Sequence, residues 1–219
     1  MTTSKKAVIF DRDGVIINSE ALTIDAMRKA FKKLGYDMPD SDIPHVIGHS
    51  STKYTDYFLT KWTFNPDEFR ETMKEFYHKR LDKSLLFSET IELIKKLYKN
   101  NVTMGITTSA GFDGTLLILK MAGIDNMFKV IVTREDCEKH KPDPEPYLLT
   151  SKKLTIDPSL CVAIEDTSLG IESAKKAGMV CIAFPNTFTK DQDFSMADYI
   201  VSSSKELERT LKLLGIINI

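Results

Sequence analysis

The chain has 219 residues, long enough to bury one good core and still carry a small second domain. Its 30 basic and 31 acidic residues leave a formal net charge of -1 with no basic arm, so the charge pattern points to no nucleic-acid partner. No run approaches the ~20 apolar residues that cross a bilayer, so no membrane partner is expected. The three cysteines, Cys137, Cys161 and Cys181, lack metal-site spacing. The last two lie in apolar, strand-like runs and read as reduced core thiols. The N-terminal MTTSKK leads into the first strand without the apolar run of an export signal, and a cytoplasmic location is expected.

The first strand is Ala7–Phe10, four apolar residues that run into Asp11, Arg12, Asp13 and Gly14. A buried strand thus delivers two carboxylates to its C-terminal end, and Gly14 permits a sharp departure of the backbone. Ser19–Leu34 carries a helical apolar stripe, with Ser19 as the expected cap and Gly35 as the stop. A Pro- and Asp-rich connector, Asp37–Pro44, follows. Gly48-His49-Ser50-Ser51 is a polar loop before a helix with Tyr54, Tyr57 and Phe58. Asn65 is placed to cap the next helix, with Pro66 as its first residue. From about 17 to 84 the pattern is helical throughout.

Beyond Ser84 strands and helices alternate. The expected strands are Val102–Thr108, Lys129–Thr133, Leu160–Glu165, Val180–Phe184 and a short Tyr199–Ser202. The helices between them are Glu89–Tyr98, Asp113–Met121, Pro144–Lys153 and Ser168–Ala177, with a last one at Lys205–Leu214. This rhythm predicts an α/β fold: a Rossmann-like parallel sheet with helices on both faces, interrupted by a small all-helical cap domain. The division expected is a core of residues 1–16 and 85–219 and a cap of residues 17–84.

An open parallel sheet binds ligands outside the carboxyl ends of its strands. There the sequence puts Asp11 and Asp13, then Thr108 and Ser109, then Lys141 in HKPDPEP, then Glu165 and Asp166. Acids at a strand end are often only caps or solvated loop residues. Their coincidence with a hydroxyl and an ammonium group carries the argument. Two acids suit a divalent cation, and oxygen ligands favour magnesium. A hydroxyl and an ammonium suit a phosphoryl group.

These residues resemble the motifs of the haloacid dehalogenase superfamily, in the branch that holds beta-phosphoglucomutases and phosphoglycolate phosphatases and carries a helical cap. Asp11-Arg12-Asp13-Gly14-Val15 matches the first motif, Thr108 ends the second, Lys141-Pro142 carries the third, and Glu165-Asp166 is the acidic fourth. The resemblance implies that Asp11 is the nucleophile that forms an aspartyl-phosphate. Asp13 would protonate the leaving alcohol and then activate water. Thr108 and Lys141 would bind the transferring oxygens. Asp11, the Asp13 backbone carbonyl and Asp166 would hold Mg2+, with Glu165 in support. Arg12 is not a family signature and receives no catalytic role. Its stem is expected beside the strand, with its head reaching solvent or a nearby acid.

The loop Gly48–Thr52 resembles the family's specificity loop, so His49, Ser50 and Lys53 are candidate substrate contacts beside Ser109. Hinges are expected at Ile16–Ser19 and Leu81–Ser88. Dehalogenation and phosphonate hydrolysis fit poorly, because those branches lack the second acid that stands here as Asp13. A mutase fits less well than a phosphatase, since Thr23 and Ser51 stand where the beta-phosphoglucomutases carry a histidine and an arginine. The expected function is a magnesium-dependent phosphatase acting on a small phosphorylated metabolite. A sugar-phosphate mutase and a non-catalytic phosphometabolite-binding protein are the alternatives. Monomer and dimer are equally compatible with the sequence.

Overall fold

The computed structural model describes residues 6–49 and 51–217, so the candidate contact Ser50 lies outside the described residues. Six strands form one sheet: β1 (Ala7–Phe10), β2 (Thr103–Thr107), β3 (Val130–Val132), β4 (Cys161–Glu165), β5 (Val180–Ala183) and β6 (Tyr199–Ile200). Their order is β3-β2-β1-β4-β5-β6, and every neighbouring pair is parallel. The chain steps outward from β1 to β3 and then returns to lay β4 on the other side of β1. That reversal opens a crevice at the carboxyl ends of β1 and β4.

Alternation along the strands assigns each side chain to a face. Val8 and Phe10 of β1, Met104 and Ile106 of β2, and Val162 and Ile164 of β4 join one buried cluster. Its helices are α4 (Ser88–Lys99), α5 (Phe112–Ala122) and α8 (Ser204–Leu213). Ala7, Ile9, Cys161, Ala163 and Cys181 face the opposite way, against α6 (Glu145–Leu154) and α7 (Ser168–Lys176). The small side chains on this second face let the two helices lie close. Cys161 and Cys181 are buried free thiols.

Between β1 and α4 stand α1 (Glu20–Lys33), α2 (Ser51–Leu59) and α3 (Pro66–Arg80), the helices of the cap. They bury a cluster of their own. Phe31 is its centre, with ring centroids 4.3 Å from Phe69, 4.6 Å from Phe58 and 4.8 Å from Trp62. Asn65 caps α3 as its sequence predicts, accepting from the amides of Asp67 and Glu68, and Pro66 opens the helix. The connector holds one short 3-10 turn, Asp40–His45.

Ser19 departs from expectation. It precedes α1 but makes no capping bond, because its hydroxyl donates instead to Asp13 Oδ1. The two linkers between core and cap clasp each other. Asn18 N donates to Leu85 O, Phe87 N donates to Ile16 O, and Ile17 bridges Leu86.

Candidate active site

Backbone ladders that run one residue past the strands set the acids in place. Asp11 N donates to Ile164 O at 2.9 Å, fixing Asp11 beside the end of β4. Thr108 N donates to Val132 O at 3.0 Å, which does the same for the end of β2. Gly14 turns the chain with a φ of 73°, and a Cβ there would lie 1.9 Å from Asp166 Oδ2. Only glycine permits both the left-handed backbone and that approach. Gly170, in the first turn of α7, leaves equivalent room, since a Cβ would lie 2.1 Å from the Glu165 carboxylate.

Lys141 is the hub of the buried end. Its Nζ donates to Asp11 Oδ1 at 2.6 Å, to Glu165 Oε1 at 2.5 Å and to Thr107 O at 3.1 Å. Burial works against its ammonium, but the Asp11 and Glu165 carboxylates outweigh that and hold its pKa above the usual lysine value. Tyr147 OH, fully buried on α6, donates to the same Glu165 oxygen at 2.6 Å. Thr108 is buried, and its hydroxyl accepts from Ala110 N at 3.1 Å.

Asp11, Glu165 and Asp166 can each turn one oxygen to within 4.8 Å of the others. Burial pushes the Asp11 carboxyl up to about 8, with Glu165 and Asp13 adding to the shift against Lys141. Burial likewise holds Asp166 well above the usual carboxylate range, helped by Glu20, Asp11 and Glu165. Three buried carboxylates against one ammonium is an excess of negative charge, and an all-oxygen donor set suits a hard divalent cation such as Mg2+. The residues therefore fit that ion.

Asp13 is held differently. Its carboxylate is forked by Arg12, with Nη2 at 2.7 and 2.6 Å from the two oxygens and Nε at 3.1 Å. Ser19 donates to the same group. Arg12 Nη1 also reaches Thr115 Oγ1 on α5 at 3.2 Å. Of the two destinations expected for the Arg12 head, the nearby acid is the one observed, and the side chain is buried. Asn186 is a further residue that sequence reasoning missed. It follows β5, and its Nδ2 donates to Asp166 Oδ2 at 2.8 Å. The strand-end rule that found Asp11 and Thr108 points to this position as well.

A cavity of about 640 Å³ lies between these residues and the cap. Ser109, His49, Thr23 and Ser51 line it, as do Asp11, Asp13, Lys141 and Asp166. Burial lowers the His49 imidazole below its usual value, with Lys53 and His45 adding to the effect. Lys53 is exposed on α2 and is not among the described residues that line the cavity. Arg134, from the core, donates to Ser51 Oγ and so ties the cap loop to the core. Glu20, at the start of α1, also faces the cavity, and burial raises its carboxyl to about 7 with Asp13 adding to the shift.

Residues 8–184 match the family model described as haloacid dehalogenase-like hydrolase. YhcW of Bacillus subtilis (strain 168) is 31% identical over 212 residues, covering 95% of this chain and 96% of that protein. Hexitol phosphatase B of Escherichia coli (strain K12) is 26% identical over 207 residues, covering 92% of this chain and 93% of that one. A CbbY variant from Rhodobacter sphaeroides, solved in complex with xylulose-1,5-bisphosphate, superposes with a TM-score of 0.84 at 22% identity, over 93% of this chain and 96% of that chain. No helix among the described residues is long and apolar enough to cross a membrane.

Proposed function

The chain belongs to the haloacid dehalogenase-like hydrolase family, and from that premise we propose that it is a magnesium-dependent phosphatase of a small phosphorylated metabolite. The observation that carries this reading is Lys141, which draws Asp11 and Glu165 together beside Asp166 under a cap. The names of relatives such as hexitol phosphatase B point the same way.

Asp11 is the nucleophile. Its carboxylate attacks phosphorus and takes the phosphoryl group as an aspartyl-phosphate, splitting one hard transfer into two easier ones. Lys141, already bonded to Asp11, then faces the phosphoryl oxygens with Thr108, neutralising charge and holding the attack in line. Asp13 gives a proton to the departing alkoxide and takes one from the water that cleaves the acyl phosphate. Arg12 and Ser19 fix the direction of that carboxylate. Mg2+, held by Asp11, the Asp13 backbone carbonyl and Asp166, would neutralise the carboxylate and phosphoryl oxygens as a Lewis acid. Asn186 orients Asp166 for this task, and Glu165 supports Lys141. We place the catalytic core in residues 1–16 and 85–219 and the cap in 17–84, the cap excluding bulk water and screening the leaving group.

Phosphorus NMR with Mg2+ and a panel of phosphomonoesters, including a sugar bisphosphate primer, tests the reading. Growth of inorganic phosphate that Asp11→Ala abolishes is the expected result. Conversion of one sugar phosphate into its isomer with little phosphate released would replace the phosphatase by a mutase.

A further inference from the structure

The cavity has two chemically different ends. One is the ionic floor of Asp11, Asp13, Lys141 and Asp166. The other is a wall of mostly apolar surface. Ile24, Tyr54 and Met73 supply it from the cap, and Phe112, Leu117 and Ile118 supply it from α5 of the core. Phe112 is 48% exposed and Leu117 43% exposed, although both line the cavity. Large apolar side chains left open inside a cleft mark a surface that a ligand covers. The polar lining residues Lys74, His78, Asp113 and Glu135 are exposed, as Phe112 and Leu117 are, and stand beside that wall.

A second observation points to an occupant. Glu20 Oε2, His49 Nδ1 and Tyr77 OH are buried without a hydrogen-bond partner, and all three residues line this cavity. Glu20 is 8% exposed. Buried polar atoms seldom stay unpaired, so the space they face is built to be filled. A small polyol would bring many hydroxyls to a wall that offers few partners, and each unmatched hydroxyl costs free energy. An alcohol with a large apolar body matches the wall and keeps its polar part for the few groups near the floor.

Resting on the phosphatase reading, we propose that the substrate is a phosphomonoester of a bulky, mainly apolar alcohol. Its hydrocarbon body lies between Ile24, Tyr54 and Met73 of the cap and Phe112 and Leu117 of α5. Specificity then comes from both domains, from α5 of the core as well as from the helices of the cap.

Propyl, pentyl and heptyl phosphate share one leaving-group chemistry and differ only in apolar length. With Mg2+ present, kcat/KM should rise by about fourfold per added methylene, the size expected for burial of a CH2 group. Heptyl phosphate should exceed glycerol 3-phosphate and a hexitol 6-phosphate. Leu117→Asn and Phe112→Ser change exposed positions, so they fold, and each should flatten the series. A flat series in the wild type, or polyol phosphates turned over faster than heptyl phosphate, overturns the proposal. Calorimetry with the matching alkylphosphonates reads the same wall without turnover. Affinity that climbs with chain length, with a negative heat-capacity change, supports the wall even if no ester is hydrolysed, and that combination would remove only the phosphatase reading. Affinity independent of chain length overturns the wall itself.

Discussion

The two ends of the cavity are built on opposite principles. The floor gathers carboxylates and one ammonium at and beyond the ends of parallel strands, where a backbone bond fixes Asp11 to β4 and Lys141 joins Asp11 to Glu165. The cap is an aromatic cluster around Phe31, joined to the core by the clasped linkers and the Arg134–Ser51 contact. A floor of this kind tolerates little change, since its buried carboxylates share one ammonium. A cap of this kind can exchange apolar groups as long as its volume is kept. The chemistry is therefore held by the sheet, and the choice of substrate is left to surfaces that can vary.

Substitution of the nucleophile is the severest test of that division. Asp11→Asn should lower turnover by at least about 10³-fold while the cap stays folded, because in the proposed mechanism Asp11 is the group that bonds to phosphorus. Steady-state rates together with a thermal melt check both parts. Wild-type turnover in this variant would take the nucleophile away from the floor.

The cap should fail in the converse manner. Phe31→Ala empties the centre of the aromatic cluster and should cost about 3–5 kcal/mol of stability. Urea unfolding measures the loss. If the cap is a separate packing unit, its near-ultraviolet aromatic signal melts before the core's helical signal. A single coincident transition breaks the comparison and makes cap and core one cooperative body.

Removal of metal sharpens the electrostatic half. In the metal-free protein Asp11 is pushed up to about 8 and Glu20 to about 7. A carboxyl raised above its unfolded value of ~4 binds its proton more tightly when folded, so its stabilising contribution is complete below that pH and is lost as pH rises through the folded value. The melting temperature in EDTA should thus fall between about pH 5 and pH 8.5, and Mg2+ should restore it most at the upper end. A melting temperature that ignores both pH and Mg2+ would falsify the carboxylate cluster as a cation site.

Arg12→Met probes the side of the floor that faces the cap. It removes the fork from Asp13 and the bond to Thr115, and should cost about 2 kcal/mol of stability. With Asp13 no longer aimed, kcat should drop more than KM changes. Arg12→Lys keeps the charge without the planar fork and should recover stability better than kcat. Equal recovery of both would reduce Arg12 to a structural ion pair.

The parallel sheet, the helices and the residues at the strand ends were legible because each depends on local pattern: apolar strands, capped helices, and a reactive residue where a strand stops. Asn65 and Pro66 worked for the same reason, as both act within one turn. Ser19 misled because its hydroxyl had a second acceptor, Asp13, that a capping pattern cannot reveal. The contact of Arg12 with a nearby acid was legible, but its bond to Thr115, 103 positions away, was not. Leu117 lies inside the expected helix Asp113–Met121 and Phe112 just before it, and sequence reasoning gave neither a role. Only the position of α5 beneath the cap turns them into a wall.

Tyr147 separates the two principles at their smallest scale. It is the largest fully buried side chain of the second core face, yet its hydroxyl belongs to the floor through Glu165. Its pKa is held well above that of a free phenol, by burial first and by Glu165 and Asp11 after it, so the hydroxyl keeps its proton and remains a donor. Tyr147→Phe preserves the packed ring and deletes only that donor. Glu165 Oε1 still accepts from Lys141, so no buried acceptor is orphaned, and the fold should lose only about 1 kcal/mol. The freed Glu165 then pulls harder on Lys141 and competes with the phosphoryl oxygens for its ammonium. Turnover should fall by about tenfold, a change of roughly 1.4 kcal/mol in the barrier, with KM nearly constant because the leaving-group wall is untouched. An equal rise in KM would mean that the hydroxyl shapes substrate binding as well, and the boundary between a rigid ionic floor and an adaptable apolar wall would have to be drawn closer to the cap.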